Sequence, residues 1–170
     1  MVILFSGRKS ETEKEIIEIL SLNGGDYISD KTVCKGRGLF TVISEYKKTD
    51  LNLKKGIALV LDDTDRFKNQ FFPFGIIGIC EENNKTALKL FQNSKIPAIS
   101  CGMNSKNAIT ASSLDSEYML VTLMRTITDI NGNDIETGEY RITLSKKYNP
   151  FSVMASAAVL LLHGITPKEF

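Results

Sequence analysis

Short apolar runs alternate with amphipathic stretches along most of the chain. Val2 to Phe5 is an apolar run broken by Gly7 and predicts a buried strand. Ser10, with Glu13 three residues later, has the form of a capping box, in which a serine caps a helix and a glutamate reaches back to it. Ile16, Ile17 and Leu20 follow at helical spacing, and Gly24-Gly25 ends that helix. Between 26 and 55 only Leu39 to Ser44 alternates enough for a strand, and its basic, polar flanks read as loops. Gly56 to Leu61 is continuously apolar, as expected of a strand covered on both faces, and Gly75 to Ile79 repeats the pattern. A helix is predicted from Lys85 to Gln92, with Ala87, Leu88 and Phe91 on its buried face. Ile96 to Ser100 returns as a strand, so this part of the chain predicts a right-handed parallel crossover.

Beyond residue 100 the pattern changes. Tyr118 to Ile127 is a long β-rich run, and Asn131-Gly132-Asn133-Asp134 is a turn signal. Glu139 to Leu144 alternates, with Tyr140, Ile142 and Leu144 on one side. Asn149 is a helix cap with Pro150 at the first helical position, and the helix Phe151 to His163 stops at Gly164. The prediction is a single α/β domain over residues 1–170. It has a mostly parallel sheet flanked by helices, with an antiparallel β-hairpin element appended.

Composition narrows the function classes. The 21 basic and 20 acidic residues nearly cancel, which gives no electrostatic case for nucleic acid or an anionic membrane. There is no Trp, and the other aromatics are scattered, so no base-stacking platform stands out. The N-terminal apolar run stops at Phe5, unlike a signal peptide, and Val153 to Leu162 is too short to span a bilayer. Cys34, Cys80 and Cys101 are widely spaced without a CxxC pair, and His163 is the only histidine, so no zinc set is expected. The cysteines read as small core residues of a reduced, cytoplasmic protein. Cys34, beside Lys35, has the setting of a lowered thiol, but no partner base stands out. His163 sits in the last turn of an apolar helix, where a cation suits the helix end and packing at the edge of the core is expected rather than catalysis.

Three segments in order carry a family resemblance. Ile96-Pro97-Ala98-Ile99-Ser100-Cys101-Gly102 is similar to the "vitfG" strand of the Mur ligase central domain. Ala108 to Ser113, with the hairpin through Glu139-Tyr140-Arg141-Ile142-Thr143-Leu144, resembles that family's β-rich lobe. Tyr148-Asn149-Pro150-Phe151-Ser152-Val153-Met154-Ala155-Ser156-Ala157-Ala158 resembles the "HNvxNalAAia" helix start, and Leu162-His163-Gly164-Ile165 follows where the family has "lGi". The resemblance covers Gly75 to Ile165 and implies a Mur ligase central-domain fold. In that family the histidine and asparagines of the last motif lie near the adenine of ATP. Asn149 matches one of them, whereas Tyr148 and Ser152 replace the other two.

The same resemblance puts a GTxGKT phosphate loop after the first strand. Here the loop reads Phe5-Ser6-Gly7-Arg8-Lys9-Ser10, with one glycine and with Arg8 between it and Lys9. Glu11, Glu13 and Glu15 crowd the following helix start, satisfying its positive end and repelling a triphosphate. Asp62, Asp63 and Asp65 imitate a Walker B carboxylate but read as a solvated loop. Ligation in the family also draws on a precursor-binding domain and a closing C-terminal domain, so ligase chemistry is not expected of this one domain. No catalytic residue, no metal site and no cofactor are expected. The leading expectation is a non-catalytic Mur-ligase-like interaction or regulatory module that meets a protein partner or a second copy of itself. The alternative is a small nucleotide or phosphometabolite binder with a reduced ATP-Mg site at Gly7, Arg8, Lys9, Ser10 and Asn149.

Overall fold

The computed structural model describes residues 1–7, 10–62, 65–114 and 117–170, and of Asp65, Ser113 and Leu114 the backbone alone. The elements, in order, are β1 (Val2–Phe5), α1 (Glu11–Leu22), β2 (Gly25–Ile28), β3 (Val33–Cys34), β4 (Phe40–Glu45), β5 (Gly56–Val60) and a 3-10 turn (Asp65–Phe67). Next come β6 (Ile76–Glu81), α2 (Lys85–Ser94), β7 (Ala98–Cys101), β8 (Ile109–Leu114) and β9 (Tyr118–Leu123). The last are β10 (Ile127–Thr128), β11 (Asp134–Ile135), β12 (Gly138–Thr143) and α3 (Pro150–Leu162). One 10-stranded sheet runs β12-β9-β8-β7-β6-β5-β1-β4-β2-β3, and β10 and β11 form a separate two-stranded sheet. From β2 to β8 neighbouring strands are parallel, while β3, β9 and β12 join antiparallel. The expected mixed sheet is present.

Period-two alternation splits β1 between two cores. Val2 and Leu4 face α1 and α3, while Ile3 and Phe5 face α2 and the segment after β5. Phe5 meets Phe67 and Phe72 edge-on at ring-centroid distances of 5.4 Å. Helix α3 is buried on every side from Phe151 to Leu162, as its predominantly apolar composition requires, with Ser152 and Ser156 as the buried polar exceptions. The small sheet closes its far end, where the Ile130 amide donates to the Leu162 carbonyl at 3.2 Å.

Four details differ from expectation. β2 and β3 lie within a stretch that reads as loop, because β2 opens on Gly-Asp and β3 is an exposed two-residue edge. In α2 the buried residues are Ala87, Leu90, Phe91 and Ser94, and Leu88 points outward. Cys34 is exposed on β3 rather than buried, unlike Cys80 and Cys101. Ser10 does cap α1, accepting the Glu13 amide at 3.1 Å, but the Glu13 carboxylate turns inward. Among the described residues no helix is long and apolar enough to cross a membrane, and no cluster of three or more His, Cys, Asp or Glu is placed to hold a metal.

Candidate functional site

In an open parallel sheet the usual ligand crevice lies beyond the carboxyl ends of the strands. Here that end brings together the segment after β1, the end of β4 and the end of β5. The parallel register pairs Phe5 with Val60, and the Leu61 amide continues it by donating to the Phe5 carbonyl at 3.0 Å. Residue 62 is therefore carried beside Ser6 and Gly7. The Asp62 carboxylate accepts the Gly7 amide at 2.6 Å and the Ser6 hydroxyl at 3.1 Å. The Arg66 guanidinium donates to the Gly7 carbonyl. Asp62 is thus engaged with the loop, not solvated as its sequence context suggests. Arg8, Lys9 and Asp63 lie outside the described residues, as does the side chain of Asp65.

Three of the four glutamates of α1, Glu11, Glu13 and Glu15, separate. Glu11 pairs with Lys14 at 2.9 Å on the surface. Glu13 is buried, and its Oε1 accepts the Ser44 hydroxyl at 2.7 Å and the Tyr46 hydroxyl at 2.8 Å, while Oε2 meets no partner among the described residues. Tyr27 extends this polar cluster by donating to Ser44 Oγ at 3.1 Å. Burial, reinforced by the Glu13 carboxylate, pushes the Tyr46 hydroxyl well above its ordinary range, which keeps it a donor. Glu15 leaves α1 for α3, where its Oε2 accepts the Asn149 amide at 3.0 Å and the Ser152 hydroxyl at 2.6 Å. The acidic cluster read as shielding the start of α1 is therefore distributed to β4, to α3 and to solvent.

Asn149 does not join Gly7 and Ser10 in one cradle. Its side chain caps α3 by accepting the Phe151 amide at 2.9 Å, and its backbone sits against Glu15. Glu15 is five residues beyond Ser10, roughly 7.5 Å along the helix axis.

Among the described residues, His163, Cys80 and Cys101 meet no reactive arrangement. His163 stacks on Phe40 with centroids 4.6 Å apart, and Nδ1 lies 2.8 Å from the Val159 carbonyl. That carbonyl only accepts, so Nδ1 carries the ring proton and Nε2 is left buried without a partner. Burial lowers the imidazole pKa, which corrects the expectation of a cation at this helix end. Burial pushes the Cys80 thiol up to about 12 and raises Cys101 as well, so neither supplies a thiolate.

The His163 shift sets a pH dependence. Its folded pKa is depressed, so its contribution is complete above the unfolded value of about 6.5 and is lost as pH falls through the folded value. Urea midpoints measured from about pH 7.5 to about pH 5 should fall more steeply for the wild type than for His163→Gln. Parallel profiles would refute a buried neutral ring.

The sequence matches no family model and no curated protein. Solved structures do share the architecture. MurF from Acinetobacter baumannii superposes with a TM-score of 0.53 at 12% identity, over 97% of this chain and 42% of that one. The UDP-N-acetylmuramate:L-alanyl-gamma-D-glutamyl-meso-diaminopimelate ligase (MPL) from Neisseria meningitides gives 0.57 at 12% identity, over 99% of this chain and 62% of that one. The fold is Mur-ligase-like, and the chain spans about half the length of these ligases.

Proposed function

We propose that this chain is a non-catalytic Mur-ligase-like module that acts through contact with a protein partner rather than through nucleotide chemistry. The observation that carries this reading is the Asp62 carboxylate on the Gly7 amide. A phosphate loop needs backbone N–H groups aimed at an open, anion-sized space. Gly7 instead donates to a fixed internal anion, and a triphosphate brought there would meet a like charge in a partly buried setting. Asn149, the one adenine-contacting residue that matches the Mur pattern, is engaged in capping α3, with Glu15 beside it. Exposed apolar side chains suit a contact role: Val33 on the edge strand β3, with Leu22 and Leu39, presents apolar area to solvent.

Titration calorimetry with Mg-ATP at millimolar concentration is expected to give no saturable heat, and saturable heat would overturn the reading. A second measurement probes the carboxylate itself. Asp62→Ala removes the acceptor of the Gly7 amide, a loss of about 1–3 kcal/mol. Inorganic phosphate should then raise the unfolding temperature of Asp62→Ala and leave the wild type unchanged. A phosphate-induced rise in the wild type, abolished by Arg8→Ala with Lys9→Ala, would favour the reduced phosphate site instead.

A further inference from the structure

We propose that a crevice at the opposite end of the sheet binds a small apolar carboxylate, an alkyl or aryl chain with one anionic head. The crevice lies where β5, β6 and β7 begin and is roofed by residues 125–130. Its volume is about 460 Å³, within the range of roughly 300–1,000 Å³ usual for small-molecule sites. Phe74, Ile77, Pro97, Ile99, Ile127 and Ile130 give it apolar walls. Phe74, in the lining, is 93% exposed, a large apolar surface that a bound chain would cover.

Charge complementarity selects the head group. Lys55 and Arg125 both line the crevice, and each is anchored by a neutral acceptor. Lys55 Nζ donates to Asn131 Oδ1 at 3.0 Å, and the Arg125 guanidinium donates to the Lys106 carbonyl. Neither cation meets a carboxylate among the described residues. The lining's carboxylate, Asp129, is absorbed by its own turn. It accepts the Asn131 amide at 2.7 Å, the Asn133 amide at 2.9 Å and Asn133 Nδ2 at 3.0 Å. Two cations against one turn-bound carboxylate, neither of them paired with it and both beside an apolar hollow, fit a ligand with an apolar body and a carboxylate able to take charge-assisted hydrogen bonds. The crevice is remote from Gly7 and Asp62, so this inference stands or falls separately from the reading of that loop.

Octanoate and 1-octanol, titrated separately into the full chain and followed by backbone amide shifts, test the site. Octanoate should shift the amides of Ile77, Ile99, Ile127 and Ile130 saturably. It should bind about tenfold more tightly than octanol, the weight of one charge-assisted hydrogen bond. The exposed pair Lys55→Met with Arg125→Met should erase that preference while leaving the unfolding midpoint unchanged. No saturable shift with octanoate, equal affinity for octanol, or an unchanged preference in the double variant would each overturn the proposal.

Discussion

A Gly75→Val chain is expected to lose about 3–5 kcal/mol of stability, enough to leave much of it unfolded if its total is ordinary for a domain. Two costs combine. Gly75 has φ +94°, a backbone state that a β-branched residue enters only with strain, roughly 1–2 kcal/mol. A Cβ there would also lie 2.1 Å from the Lys54 carbonyl oxygen, so the chain before β5 must move. That movement disturbs the Gly56 amide's bond to the Gly75 carbonyl, which ties the entries of β5 and β6 together. Gly132→Val separates the two costs. Gly132 has φ +92° but nothing within 4 Å of an added Cβ, so only the conformational cost applies. Guanidinium unfolding should place Gly75→Val well below Gly132→Val. Equal midpoints would show that the Lys54 carbonyl yields without penalty. Because Gly75 lines the apolar crevice, milder substitutions at this position should also weaken octanoate binding.

What the sequence reveals depends on how local the cause is. Val2 to Phe5 and Gly56 to Leu61 are legible because strands covered on both faces are apolar throughout. Helix α3 is legible from Asn149-Pro150 and its apolar run. The phase of α2 is harder: its buried row is 87, 90, 91 and 94, and the polar Ser94 at the end of that row hides it. Ser94 is buried because its hydroxyl accepts the Phe72 amide at 3.1 Å, a partner the local pattern cannot announce. Glu13 shares a helical face with Ile16 and Leu20, so its burial is implied by spacing and masked by its charge. Asp62 at Gly7 depends on β1 and β5 being neighbours in register, a contact 55 residues apart in sequence. The Mur-like architecture is thus written in apolar runs and turn residues, while the engagement of the loop after β1 is set by pairings that run across the sheet.

Glu15→Lys is expected to cost about 2–4 kcal/mol, although Glu15 is a half-buried helix residue whose sequence context suggests only a favourable charge near the start of α1. Its carboxylate oxygen takes two donors from α3, the Asn149 amide and the hydroxyl of the fully buried Ser152. Hydrogen bonds to a charged acceptor weigh roughly 1.5–3 kcal/mol, and leaving Ser152 unpaired adds desolvation without return. Reversal further sets a cation at the N-terminus of α3, unfavourable by roughly 0.3–1 kcal/mol. Glu11→Lys is the matched control, since either variant changes the formal net charge from +1 to +3 by the same two-unit reversal. Glu11 holds an exposed pair with Lys14 and lies in the first turn of α1, so that change should cost no more than about 1 kcal/mol. If simple repulsion among acidic residues on α1 governed this region, both reversals would stabilise the fold. A large loss confined to Glu15→Lys, shrinking when Ser152→Ala is already present, would instead identify Glu15 as the polar tie between α1 and α3. Equal small effects from the two reversals would exclude that tie.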